Sequence, residues 1–292
     1  MKHGGVVLYP RASRTAGDCN MWRICRLLLI LVSGTFAAMT PAQSAEPAPA
    51  NAHSIVLITG SNRGIGLALA SAYAKAGWEV IATCRDPAHA TELVELAKAN
   101  SNLKVEPLDV TNAASIDALV AKYRGQPIDV LVNNAGTSGN YQGQLLGSFD
   151  EAAFDEIMRV NAYAPLRVSS AFLENVQASR QKKIVAITSG RGSVSKPFLD
   201  NRAYFYDMSK AALNLGMRKF QENVRDKGVL VGIFAPGIVD TDLNHGLRNG
   251  VPAKRPLIST QESATGVVTL IANLSAANQD AYMNYNGEKF SW

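Results

Sequence analysis

The turn that follows the first apolar run constrains this chain more than any other feature. Ser54-Ile-Val-Leu-Ile-Thr59 is apolar through its centre and runs directly into Gly60-Ser-Asn-Arg-Gly64-Ile-Gly66. A short apolar run without alternation reads as a strand buried on both faces, the signature of a parallel sheet. Glycines straight after it let the backbone turn tightly, and a helix opening at Gly64 aims its free N–H groups at the turn. From there the pattern repeats. Helical spacing of Ile65, Leu69, Ala72 and Tyr73 ends at Gly77, and a strand, Glu79–Cys84, and a helix over 91–100 follow. Leu103–Pro107, Ala113–Lys122 and 128–132 continue the alternation, and a helical stretch over 149–178 is broken at Pro165. A strand at 183–188, a helix over 204–226, a strand at 229–235, a helix over 261–275 and a short strand near 281–285 complete the series. Such regular alternation predicts an α/β fold, a single Rossmann-type doubly wound parallel sheet with helices on both faces.

Everything before that strand reads as a leader to be kept out of the fold. Arg23 and Arg26 precede a mostly apolar run over 27–38, and Ala42-Gln43-Ser44-Ala45 is a small-residue stretch suited to signal peptidase. The run is about 12 residues, short of the roughly 20 that span a bilayer as a helix. The expectation is a cleaved secretory signal within 21–45, with translation starting at Met21, and export to the periplasm or medium; if the leader is instead the product of a miscalled start, the protein is cytoplasmic. An Ala/Pro-rich linker follows, so residues 1–52 are leader and linker and 53–292 one dinucleotide-binding domain. With 47% hydrophobic and 18% charged residues the chain is not disordered, and three cysteines, two of them in the leader, make no disulfide scaffold. The net charge of +5 is concentrated at the N-terminus: beyond residue 50, 24 basic residues face 22 acidic ones, which gives no argument for nucleic-acid binding. His3, His53, His89 and His245 are scattered, and no spacing suggests a metal site.

The spacing Gly60-x-x-x-Gly64-x-Gly66, set between a strand and a helix, points to the pyrophosphate of a dinucleotide, with Asn62 and Ile65 inside the same turn. It differs from the Gly-x-Gly-x-x-Gly of longer dehydrogenases. NAD enzymes place an acid at the end of the second strand, about 20 residues past the glycines, to hold the ribose hydroxyls. Here Cys84 takes that position, Arg85 follows it, and Arg63 lies in the turn. Two guanidiniums suit a 2′-phosphate, so NADP is expected over NAD. In the opposing arrangement Arg85 pairs with Asp86 and Arg63 faces solvent.

Ser189 stands just past the 183–188 strand, and Tyr206 and Lys210 follow at i and i+4 on one helix face. A neighbouring ammonium favours a phenolate and makes tyrosine usable for general acid–base work. Taken alone the pair is ordinary: Tyr204 is equally aromatic, and Thr188, Ser193 and Ser195 compete with Ser189. The order of the whole set is not ordinary. Thr59–Gly66, Asp109, Asn133-Asn134-Ala135-Gly136, Asn161, Ser189 with Gly192, Tyr206 with Lys210, and Pro236-Gly237 succeed one another in one chain. This set resembles the short-chain dehydrogenase/reductase family over 54–292. The segments ATCRDP (82–87), SGRGSVS (189–195) and NGEKFSW (286–292) are most similar to its C-factor and sniffer-type carbonyl reductase branch.

The resemblance implies roles. Tyr206 would protonate the carbonyl oxygen and Ser189 would hydrogen-bond it. Lys210 would hold the nicotinamide ribose and tune Tyr206, and Asn161 would hold a relay water. Asp109 and Val110 would meet the adenine, while Asn133, Ala135 and Gly136 would pack beside the cofactor. Pro236, Gly237, Val239 and Thr241 would line the nicotinamide and phosphates. A purely structural part is equally open to Asn133 and Asn134 (holding the turn), to Asp109 (starting one) and to Asn161 (a kink before Pro165). The implied activity is NADP-dependent reduction of an aldehyde or ketone, or the reverse alcohol oxidation, in a homodimer or homotetramer, with 238–257 as a polar lid over the substrate. A dinucleotide-binding signalling or regulatory protein with little turnover is the alternative.

Overall fold

Alternate residues of each strand serve opposite faces of the sheet, and in this chain both faces are apolar. The computed structural model describes residues 54–195, 202–252 and 256–292. The leader, the linker and the boundary at 53 lie outside the described residues. Seven strands, β1 (Ile55–Ile58), β2 (Glu79–Cys84), β3 (Leu103–Pro107), β4 (Val130–Asn133), β5 (Lys183–Ile187), β6 (Leu230–Ala235) and β7 (Tyr282–Asn284), pair in parallel. A short β8 (Lys289–Phe290) folds back antiparallel on β7, giving the order β3-β2-β1-β4-β5-β6-β7-β8. Val56 and Ile58 pack with Leu69 and Tyr73 of α1 (Gly64–Lys75), Leu93 of α2 (Thr91–Ala99) and Val267 and Ile271 of α9 (Thr260–Ala272). Ile55 and Leu57 face the other way, onto Ile116 of α3 (Ala113–Lys122), Val168 of α5 (Ala164–Ala171), Val176 of α6 (Leu173–Gln177) and Met217 of α7 (Tyr204–Val224). The expected doubly wound fold is therefore what the chain forms.

The long helical stretch breaks earlier than Pro165 alone suggested. It comprises α4 (Glu151–Met158), one wide π turn (Arg159–Tyr163), α5 and α6. Proline has no N–H for the carbonyl four residues before it, which here is that of Asn161, and a π turn is the usual way to absorb such a defect. The polar segment expected to form a lid carries a helix, α8 (Asp242–Arg248), capped by the Thr241 hydroxyl. Among the described residues no helix is long and apolar enough to cross a membrane.

The sheet order reverses between β1 and β4, and the crevice beyond their carboxyl ends is where open α/β sheets bind ligands. Two loops meet there. The Thr59 hydroxyl accepts the N–H groups of Asn134 and Ala135, each at 3.0 Å, and Asn134 Nδ2 donates to the carbonyls of Thr59 and Gly60, each at 2.9 Å. Gly66 closes this contact: a Cβ there would run into the Gly60 carbonyl oxygen and come within 2.5 Å of Asn134 Nδ2. Gly66→Ala is therefore expected to destabilise the fold by about 3 kcal/mol, lowering Tm by roughly 6–12 °C in thermal unfolding; an unchanged Tm contradicts this packing.

Candidate active site

A cleft of 1770 Å³ opens at the carboxyl ends of the strands. Its walls contain Gly60, Asn62, Arg63, Gly64, Ile65, Gly66, Arg85, Asp109, Val110, Ala135, Gly136, Ser189, Tyr206, Lys210, Pro236, Gly237, Val239 and Thr241. Nearly every residue singled out from the sequence is thus gathered at one site. Asn133 and Asn161 are not in its walls.

Asn133 corrects an expectation. Successive strand residues point to opposite faces, so only one of the adjacent asparagines can face the glycine turn. Asn134 does, while buried Asn133 donates to the Ser169 hydroxyl of α5 at 2.9 Å and ties sheet to helix. Asn161 lies behind the cleft wall, fully buried. Its Oδ1 accepts from Thr137 N, and its Nδ2 donates to Thr137 O, both at 2.9 Å, and to Ser209 Oγ at 3.1 Å. Its side-chain amide is committed to the protein, and its backbone carbonyl is the one that Pro165, lacking an N–H, cannot serve.

At one end of the cleft lies the N-terminus of α1. Arg63 provides no side-chain cap and the first turn holds no acidic residue, so its N–H groups and dipole are available to an anion. The glycine cradle and this bare helix end fit a pyrophosphate. At the adenine end, buried Cys84 offers no charge. Asp86 accepts from Ala88 N at 3.1 Å and lies 2.6 Å from His89 Nδ1, contacts that hold its carboxyl below the usual range. The expected competition between Arg85 and Asp86 therefore does not occur, and Arg85 lines the cleft exposed. Arg63 departs from both arrangements read from sequence: its Nη1 bonds Asp242 of α8 at 2.8 Å, joining the glycine turn to α8. Asp109 Oδ1 accepts from Thr111 N at 2.9 Å and Thr111 Oγ1 at 2.7 Å, so one of its oxygens holds the local turn.

At the other end, Tyr206 and Lys210 sit on the buried face of α7, each 4% exposed. Lys210 Nζ donates to the Ile187 carbonyl at 3.1 Å and lies 5.7 Å from the Tyr206 ring centre. The Ser189 hydroxyl faces the phenol and favours its ionisation, but burial outweighs this and pushes Tyr206 up to about 12. Burial also lowers Lys210 to about 8. The simple expectation of a phenol brought down by its ammonium neighbour thus fails in the free chain, because desolvation penalises both charges. Ser193, the nearest competitor of Ser189, bonds the Ser291 carbonyl at 2.8 Å instead, and Tyr204 packs on Phe149.

Several supporting groups escaped the sequence reading. Asn214, one further turn along the Tyr206/Lys210 face, accepts from Thr188 Oγ1 at 2.6 Å and donates to Gly192 O at 3.2 Å. Arg191 clasps Asp207 through two bonds of 2.5 and 3.0 Å, and Tyr282 of β7 donates its hydroxyl to the Ser189 carbonyl. The i, i+4, i+8 spacing is the signal that could have marked Asn214; nothing local marks the others.

This fold with this cleft defines a dinucleotide-binding oxidoreductase framework, and comparison with known proteins narrows it. Residues 54–251 match the short chain dehydrogenase family. The NADPH-bound carbonyl reductase from chicken fatty liver is 32% identical, with a TM-score of 0.74 over 81% of this chain and 98% of that one. The carbonyl reductase Sniffer of Drosophila melanogaster is 26% identical, with a TM-score of 0.72 over 82% and 99%. The C-signal of Myxococcus xanthus is 34% identical over 166 residues, 57% of this chain and 93% of that protein. The chain belongs to the short-chain dehydrogenase/reductase family.

Lys210 gives up its proton at about 8 when folded and at about 10.5 when unfolded, so the folded state binds fewer protons in between and gains stability as pH rises through that window. Lys210→Met should accordingly stabilise the chain near neutral pH by about 1–3 kcal/mol, a gain that shrinks towards pH 10. Thermal unfolding of both forms across this range checks it; a difference independent of pH contradicts the buried ammonium.

Proposed function

We propose that the chain is an NADP-dependent reductase of aldehyde or ketone carbonyls, able to run the reverse alcohol oxidation. The observation that carries this reading is the meeting of the Ser189 hydroxyl, the Tyr206 phenol and the Lys210 ammonium in one cleft with the uncapped N-terminus of α1. The resemblance to an NADPH-bound carbonyl reductase supports it.

When bound, NADPH supplies the hydride. Ser189 Oγ holds the substrate oxygen, and the Tyr206 hydroxyl gives it a proton as charge develops there. A phenol pushed up to about 12 is protonated at neutral pH, the form reduction requires. Lys210 holds the nicotinamide ribose hydroxyls and stabilises the phenolate left after proton transfer. The Asn161 carbonyl holds a water that returns a proton towards Lys210. Arg85 takes the 2′-phosphate, and Arg63 joins it by exchanging Asp242 for that phosphate. The free oxygen of Asp109, with Val110, meets the adenine, while Ala135, Pro236, Gly237, Val239 and Thr241 form the wall. The chain works as a homodimer or larger homo-oligomer, for which exposed Tyr163, Met208 and Leu215 on neighbouring helices offer an apolar surface.

Similarity to the C-signal favours a second reading, a dinucleotide-binding signalling protein with little turnover. NADPH consumption against a panel of carbonyl compounds separates the two. Tyr206→Phe is expected to lower kcat by about 10²–10⁴-fold, the usual worth of general acid–base catalysis, while leaving NADPH affinity within about twofold. A wild type without turnover on any carbonyl, or a variant within about threefold of it, rejects the reductase reading. Arg85→Ala should weaken NADPH by about 10- to 100-fold and NADH hardly at all, since one charge-assisted hydrogen bond is lost. Fluorescence titration of both cofactors checks it, and equal weakening of the two overturns the assignment to the 2′-phosphate.

A further inference from the structure

The helix that carries Tyr206 and Lys210 lacks an N-cap of its own. Ala203, the residue before α7, adopts a left-handed conformation (φ 56°) and contributes no side-chain cap. The first N–H groups of a helix have no partner within it, and a buried one left unmet is costly. At Tyr206 the partner comes from far away in sequence. Gln144 Oε1 accepts the Tyr206 N–H at 2.9 Å across 62 residues, and both groups are buried.

Gln144 is itself held so that only this contact fits. It is fully buried at the end of a single 3-10 turn, Gln142–Gln144, and its Nε2 donates to the carbonyls of Ser138 at 2.8 Å and Asn140 at 3.1 Å. Turning the amide over would set an NH₂ against an N–H and an oxygen against two carbonyls, so its neighbours fix the orientation. The turn is seated on α4: the Gly143 carbonyl accepts from Asp150 N at 3.0 Å, and a Cβ on Gly143 would lie 2.8 Å from Asp150 Cβ. Asn161 makes the matching tie on the other side of the Tyr206 turn, since it bonds Ser209 Oγ at 3.1 Å and Ser209 Oγ donates to the Tyr206 carbonyl at 2.7 Å. Two buried amides therefore hold the N–H and, through Ser209, the carbonyl of the same residue against the loop that follows β4.

We propose that Gln144 is a positioning residue for Tyr206: it caps α7 from the β4 loop and fixes the phenol relative to Ser189 and the cleft wall. The catalytic part of this inference rests on the reductase reading; the capping part does not. Gln144→Met removes the acceptor and both donors while keeping side-chain length. Assayed well below its own Tm, it should lose about 10- to 100-fold in kcat, the range a displacement of about 1 Å can cause, with KM for the carbonyl and NADPH affinity nearly unchanged. Gln144→Glu, which keeps the acceptor but sets a carboxylate against two carbonyls, should recover only part of the loss. Amide hydrogen exchange of the wild type gives a readout independent of turnover and of whether either variant folds. The Tyr206 amide should be protected like Leu213 in mid-helix, and far more than the first-turn amides of Tyr204 and Phe205. A Tyr206 amide exchanging as fast as those two, or a folded Gln144→Met with wild-type kcat, overturns the proposal. A wild type inactive on every carbonyl but protected at Tyr206 overturns the reductase reading and, with it, the catalytic half, while leaving the cap established.

Discussion

Tyr206 and Lys210 share a pocket where neither can carry its charge cheaply. Burial moves the phenol up and the ammonium down, and the groups that relieve this are few: the Ser189 hydroxyl and the Arg191 guanidinium for the one, the Ile187 carbonyl for the other. A side chain in that condition stays in place only if the structure around it is rigid. The surrounding fold supplies this. The sheet reverses its order between β1 and β4 to open a crevice, the Thr59–Asn134 hydrogen bonds lock the two loops at its mouth, and α7 packs on β6 with Tyr206, Ser209, Lys210 and Asn214 buried beside Leu213 and Met217. The site is assembled at the expense of local stability, as functional sites commonly are.

The same region is held by contacts that reach across the sequence rather than along it. The segment after β5 is tied to α7 by Thr188–Asn214 and Arg191–Asp207, to β7 by Tyr282 and to the C-terminal residues by Ser193–Ser291. The loop after β4 is tied to α7 by Gln144 and Asn161. All of these ties are buried or partly buried. Arg63 and Asp242 are the exception, an exposed pair across the cleft mouth whose stabilising worth is small, about 0–1 kcal/mol, and which therefore yields readily to a bound phosphate.

What could be read from the sequence follows from the range of the interactions. Strands buried on both faces leave unbroken apolar runs, so β2 is legible residue by residue and β1, β5 and β6 to within a residue at their ends. The glycine turn was legible because its conformation admits little else, and Tyr206 with Lys210 because a helix brings i and i+4 together. Pro165 signalled a break, but not that the π turn would come before it at 159–163. The adjacent Asn133 and Asn134 were read as one motif, although strand geometry sends them to opposite sides. The Arg63–Asp242 pair spans 179 residues and the Gln144–Tyr206 bond 62, and no local pattern announces either. The Tyr206 phenol shifts in the opposite direction to the one its sequence neighbours suggest for the same reason: the ammonium is visible at i+4, whereas the burial that dominates it is a property of the whole fold.

Burial sets the protonation state of Tyr206: it keeps the phenol protonated in the free chain well above neutral pH. Ultraviolet difference titration of the wild type against Tyr206→Phe, in cofactor-free protein, isolates that one phenol among the tyrosines. The account predicts no phenolate signal attributable to Tyr206 up to about pH 10, two units below the value of about 12 that burial sets. A phenolate appearing in the free protein near pH 7–8 would contradict it, for the ammonium of Lys210 would then outweigh the desolvation on which the whole arrangement rests.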